Sequence, residues 1–195
     1  MNSVLSKNLF LIKEHVGFFK AANNFDVYDP ESGQIIIECR EDNLGFFTKM
    51  FRFTDYKRMT PFEVNLRTPQ GEHLLTVKRG FTLFRSMVDV TDDAGQRVGG
   101  FRQKLLSIGG AFTVLGAHDQ ELCTLKGKWT GWEFSFKSGE NELARVTKKW
   151  AGLGKEFFTS ADNYVLQISE SVPPDNPIRL LIMAAVMSID MVLKE

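Results

Sequence analysis

The sequence predicts a mainly β protein: a closed antiparallel barrel of about twelve strands around a hydrophobic C-terminal α-helix, as one domain over residues 1–195. Three observations carry that expectation. A hairpin unit recurs along the chain, a few alternating apolar residues, a short polar turn usually holding Asp and Gly, then a second alternating run. The strands so generated are too many for an open twisted sheet, and closure is the economical solution. Finally, Ile178 to Leu193 is apolar on every side when wound as a helix, so it needs cover all the way round. A barrel of this size has more interior than its own side chains fill, and the helix is the natural plug.

The elements follow in order. A first strand is expected near Leu9 to Lys13, then hairpins over Phe25–Cys39, Phe62–Val77, Met87–Val98, Phe112–Leu125 and Trp132–Val146. The turn positions Gly71, Gly95, Asp119 and Gly139 recur at nearly even spacing, as a repeated two-strand unit requires. Phe46 to Phe53 alternates and predicts an extra strand between the first two hairpins, and Glu156–Thr159 with Tyr164–Ser169 read as the closing pair. Gly99-Gly100 and Gly109-Gly110 lack the lysine context of a phosphate loop and mark strand ends or bulges. Glu170 to Pro177 is a linker too short to separate domains.

Asn176 can cap the helix, and Pro177 suits the first helical position, where its missing N–H costs nothing. The apolar run between Arg179 and Asp190 is shorter than the ~20 residues that span a bilayer, so the helix is read as buried. Met183, Met187 and Met191 then fill core; on an emerged helix they would form a membrane-insertion element. The competing architecture is a β-sandwich with a helix on one face, which an all-round apolar helix disfavours.

Composition bounds function by exclusion. The 24 basic and 24 acidic residues cancel, so the global charge gives no argument for nucleic acid, and no nucleic-acid partner is expected. Cys39 and Cys123 form neither a metal-ligand spacing nor a disulfide framework, which fits a reducing compartment. Lys7, Lys13 and Glu14 interrupt the apolar N-terminal residues, so no signal peptide is expected and the location is cytoplasmic, with peripheral membrane attachment allowed. His15, His73 and His118 are far apart and no nucleophile elbow or zinc motif occurs, so no catalytic residue, enzyme activity, cofactor or metal is assigned.

Charge placement is more informative. Second strands end in basic residues, Lys78-Arg79, Arg102 with Lys104, Lys126 with Lys128, and Lys148-Lys149. Acids flank the turns at Asp29, Glu31, Asp92, Asp93, Asp119 and Glu140. In an up-and-down barrel all turns lie at one end, so the neutral protein would carry one basic and one acidic rim. The basic rim is expected to meet anionic lipid headgroups, with Trp129 and Trp150 beside Lys128 and Lys149 at headgroup level. The plainer alternative is that these lysines keep strand edges soluble.

Lys149-Trp-Ala-Gly-Leu-Gly-Lys-Glu-Phe-Phe-Thr-Ser-Ala-Asp-Asn-Tyr-Val-Leu-Gln-Ile168, with the helix ending Met187-Ser-Ile-Asp190, resembles the C-terminal signature of the phospholipid scramblases. Phe101 to Val114 and Lys126-Gly-Lys-Trp129 resemble repeats of the related LURP-one family. The resemblance implies the tubby-like fold, association with phospholipid membranes, and lipid transfer between leaflets. The Pro-rich extension and acylated cysteine cluster of eukaryotic scramblases have no counterpart here, so no lipid anchor is expected. At the family's calcium loop the matching ends are Ser160 and Ser171, leaving Asp162 as the remnant carboxylate and calcium-independent action as the expectation. The expected function is binding to anionic phospholipid membranes. The runner-up is a soluble interaction module for a protein partner or a small apolar ligand held between helix and barrel.

Overall fold

A computed structural model describes residues 3–15, 22–42, 45, 59–81, 86–104, 111–128, 132–148 and 163–193. Its strands are β1 (Leu9–Glu14), β2 (Phe25–Tyr28), β3 (Ile35–Arg40), β4 (Phe62–Arg67), β5 (His73–Arg79) and β6 (Met87–Asp92). They continue as β7 (Arg97–Gln103), β8 (Ala111–Gly116), β9 (Glu121–Lys128), β10 (Glu133–Ser138), β11 (Asn141–Thr147) and β12 (Asn163–Ile168), followed by the helix α1 (Ile178–Leu193). Each strand pairs with the next, and β12 returns to β1 through Leu9↔Gln167 to Lys13↔Asn163, closing an antiparallel barrel. The five expected hairpins are β2–β3, β4–β5, β6–β7, β8–β9 and β10–β11. The expected strand at Phe46–Phe53 and the first half of the closing pair, Glu156–Thr159, lie outside the described residues.

One turn geometry makes the repeat. In every one of the five hairpins the register shifts by a bulge beside the turn, and a residue with left-handed φ follows: Gly33, Gly71, Gly95, Asp119 and Gly139. A tight turn closed by a left-handed residue and a bulge carries the chain back with the strand twist intact. Aspartate tolerates that region because its short side chain bonds locally, which is why Asp119 can stand in a glycine's place.

Strand alternation puts apolar residues inside and polar residues outside. On β4, Phe62, Val64 and Leu66 are buried in the core while Glu63, Asn65 and Arg67 point outward. This is the inverse of a lipid-embedded barrel, whose outer face is apolar. Among the described residues no helix is long and apolar enough to cross a membrane. The core instead converges on α1, where Leu181 through Val186 are all buried in succession, so the helix is covered on every side. The Ser188 hydroxyl, buried with them, donates to the Ala184 carbonyl at 3.0 Å.

The helix begins as its sequence signals suggest. The Asn176 side-chain oxygen accepts the Ile178 N–H at 3.0 Å, with Pro177 at the first helical position. Arg179 then plays a part that its sequence position did not reveal. It is 1% exposed, and its Nε donates to the Leu5 carbonyl at 2.9 Å and Nη1 to that of Val172 at 2.9 Å. Nη2 donates to the Ser6 carbonyl at 3.1 Å, the Lys7 carbonyl and Asn8 Oδ1. One guanidinium thus ties the plug, the linker and the N-terminal segment together, and burial pulls its pKa down.

Gly99-Gly100 sits within β7, opposite the bulge at Val90/Thr91, and not at a strand end. A Cβ on Gly99 would lie 2.2 Å from the Leu115 carbonyl oxygen and 3.0 Å from Leu181 Cδ2, so the missing side chain lets α1 lie against the barrel wall. Gly99→Ala should therefore cost about 1–3 kcal/mol in urea unfolding through overpacking. An unchanged midpoint would show that the β8 backbone at Leu115 and the helix both yield without cost.

Candidate functional site

The up-and-down topology separates two ends. The five tight turns and the start of α1 share one end, and the remaining connections share the other. Carboxylates gather at the turn end as expected, and several are engaged there. Lys7 lies 3.4 Å from Asp29, whose carboxylate also accepts from the Ser32 hydroxyl, and Arg97 lies 2.8 Å from Asp119. Between the first turn of α1 and the β4–β5 and β6–β7 turns lies a cavity of about 590 Å³, with Leu5, Leu74 and Leu180 as an apolar floor. Glu72, Asp92, Asp93 and Asp175 line its mouth.

Among the described residues the opposite end carries acids as well as cations. Near β1–β3 it carries Glu14, Asp26 and Glu41. Asp26 is buried between the Arg40 guanidinium and His15, each at 2.6 Å, and Glu41 accepts the Asn23 N–H and side-chain amide at 2.9 Å. The cations are concentrated along β5 to β9, and strand register sorts them. Lys78 is flanked on its two neighbours by Glu63, at 2.8 Å from its Nζ, and by Asp89, so its charge is answered on the protein; the bond to Glu63 raises its pKa.

Arg79 departs from the expected solvent-facing role. It is 3% exposed, on the inward face of β5, donating from Nη2 to the Thr60 carbonyl at 2.6 Å with its guanidinium 4.8 Å from the Phe62 ring centroid. Alternation is the reason: residues 75, 77 and 79 share the core face, so only Lys78 of the pair can reach solvent. Lys148 likewise turns onto the protein, its Nζ 4.3 Å from the centroid of Trp132 and 5.1 Å from that of Tyr164, two rings stacked at 4.8 Å.

Arg102 and Lys126 differ from these. Arg102 faces outward between Met87 on β6 and Thr113 on β8. Lys104 is paired to Ala111, and Ala111 in turn lies opposite Lys126, whose other neighbour is Ser135. Among the described residues Arg102 and Lys126 meet only Met87, Thr113, Ala111 and Ser135 across the register, and they point outward from β7 and β9 on either side of β8. Lys128 ends β9 opposite Glu133. Lys149, Trp129, Trp150 and Asp162 lie outside the described residues.

Two apolar side chains missed in the sequence belong to the same corner. Phe81, just after β5, is 67% exposed, and Met87, at the start of β6 and paired to Arg102, is 41% exposed. The signal was available: Gly80-Phe-Thr-Leu-Phe84 places apolar residues in a connection, where the hairpin turns carry polar ones. Cys39 and Cys123 are free, and burial pushes both thiols up, Cys123 to about 12, so neither is a ready nucleophile.

The sequence pattern of the Scramblase family matches residues 4–195, nearly the whole chain. The chain belongs to the scramblase family. Its fold also matches the X-ray structure of a protein from Arabidopsis thaliana, with a TM-score of 0.54 and 15% identity over 94% of this chain and 91% of that one. Among curated proteins no significant match was found. The family makes this a lipid-related domain.

At the family's calcium loop the matched positions Ser160 and Asp162 lie outside the described residues. Asn163–Ile168 of the matching stretch form β12, paired to β1 on one edge and β11 on the other. Alternation sends their side chains to opposite faces, with Tyr164, Leu166 and Ile168 in the core, whereas calcium needs about six to eight convergent oxygens. Ser171 is engaged with Ser169, their hydroxyls 2.8 Å apart.

Proposed function

We propose that this scramblase-family domain is a cytoplasmic, peripheral binder of anionic phospholipid membranes that works without calcium. The observations that carry the reading are membership of the scramblase family and the outward cations Arg102 and Lys126, on β7 and β9 to either side of β8, which meet Met87, Thr113, Ala111 and Ser135 across the register. A charged bilayer attracts each such residue by about 1 kcal/mol. Two free buried thiols support a reducing compartment. Lipid transfer between leaflets would have to run on the outer surface, because the inward faces of the strands pack apolar residues against α1 and give headgroups no polar track.

Co-sedimentation with vesicles tests this. The protein should pellet with phosphatidylcholine vesicles containing phosphatidylserine, be released by high salt, and behave the same with or without calcium. Equal binding to neutral vesicles, or no binding to either, would refute it. The second reading, an interaction module, is favoured by the cavity at the start of α1, whose carboxylates over a leucine floor suit a cationic segment of a protein partner.

A further inference from the structure

We infer that the cavity at the start of α1 receives a basic peptide segment of a partner protein, one in which an apolar residue stands between lysines or arginines. The inference rests on the interaction reading above and names the chemistry of the partner. The apolar side chain seats on the cavity floor while the flanking cations meet carboxylates at the mouth.

The floor is built from three separate elements. Leu5 arrives from the 3-10 turn Ser3–Ser6, Leu74 from β5 and Leu180 from the first turn of α1. Leu5 and Leu74 are buried, and the half-buried Leu180 with the exposed Pro177 carries apolar surface up to the mouth. The position of this floor is fixed, because Arg179 Nε, one residue before Leu180, holds the Leu5 carbonyl at 2.9 Å. A site whose walls are already ordered costs its ligand little conformational entropy. The volume of about 590 Å³ exceeds what one side chain fills and leaves room for the residues on either side of it.

Charge at the mouth selects the occupant. Glu72 from the β4–β5 turn, Asp92 and Asp93 at the β6–β7 turn and Asp175 from the linker surround the floor, and among the described residues no lysine or arginine lines it. Asp92 is committed to its turn, its Oδ1 accepting the N–H groups of Ala94 at 3.0 Å and Gln96 at 2.8 Å. Asp93 and Asp175 are exposed and make no hydrogen bond or ion pair among the described residues, so both can take a cation without breaking a bond. The first turn of α1 contributes about half a positive charge, which the carboxylates outweigh. The whole chain is neutral, so the attraction is local to this end. Because the acids come from three segments, a single ammonium reaches one side of the mouth only, whereas basic residues on both sides of an apolar one span it.

The test is fluorescence anisotropy on the full chain with a fluorescein-labelled peptide carrying two arginines on each side of a leucine, beside the same peptide with glycine in place of leucine. The leucine peptide should bind at low salt, about tenfold more tightly than the glycine peptide. Asp93→Asn with Asp175→Asn should weaken it by about tenfold, and because both side chains are exposed the circular dichroism should not change. Arg102→Gln with Lys126→Gln, at the other end of the barrel, should leave peptide binding as it is.

Equal affinity for the two peptides, with the aspartate variant still weaker, would overturn the inference and leave the interaction reading as a purely electrostatic docking surface. Leucine-peptide binding that the aspartate variant does not weaken would place the peptide elsewhere and overturn the inference as well. Displacement of the leucine peptide by spermine at equal concentration would show that the mouth takes a free polyamine in place of a partner segment, again overturning it. No binding of either peptide at low salt would overturn the inference and the interaction reading together.

Discussion

Replacing Arg179 with leucine should lower the stability of the barrel by about 3–5 kcal/mol, seen as a fall in the urea midpoint at unchanged slope. The side chain is fully enclosed at the first turn of α1 and donates to the carbonyls of Leu5, Ser6, Lys7 and Val172 and to Asn8 Oδ1. Hydrogen bonds from a charged donor are each worth more than neutral ones, and their removal leaves buried carbonyls with partners missing. Leucine supplies apolar volume but none of the donors. Arg179→Lys should recover only part of the loss, because a compact ammonium cannot reproduce a planar fork that serves groups on separate segments. A loss under about 1 kcal/mol for the leucine variant would show that the N-terminal segment and the helix hold together without the clamp.

The second large effect concerns lipid. Changing Arg102 and Lys126 together to glutamine should weaken binding to phosphatidylserine-containing vesicles by about thirtyfold at low salt. Two cations at about 1 kcal/mol each sum to about 2 kcal/mol, and about 1.4 kcal/mol is a factor of ten. The gap between variant and wild type should close as salt rises, since screening removes the same term. Lys78→Gln is the matched control: Glu63 and Asp89 already flank that ammonium, so its loss should change binding little. A double variant within about threefold of wild type would remove these two cations from the membrane reading.

The contrast between Lys78 and Arg102 also marks how far the chain could be read without its fold. All the basic positions look alike in sequence, each at or near the end of a second strand. Register distinguishes them, because it decides whether Glu63, Asp89, Thr113 or Ala111 stands opposite. Arg79 and Lys148 were assigned to solvent from their neighbours in the chain, while alternation and the ring pair Trp132–Tyr164 claim them for the protein. Phe81 lies outside the alternating runs, so no strand pattern marks it.

What the sequence by itself determined is the architecture. Alternation of period two, a turn unit recurring from Gly33 to Gly139 and a helix without a polar face are local patterns, and each dictates its element whatever surrounds it. The bounds of α1, its Asn176 cap and the five hairpins follow from them. The tertiary structure alone decided which neighbours each charge meets, that Arg179 is a clamp, that Arg79 and Lys148 turn onto the protein, and that Phe81 and Met87 are exposed. The physical reason is the same throughout. A strand's own residues say which side chains share a face, but the free energy of a charge depends on what the neighbouring strand places across from it, and barrel closure brings those neighbours from distant parts of the chain.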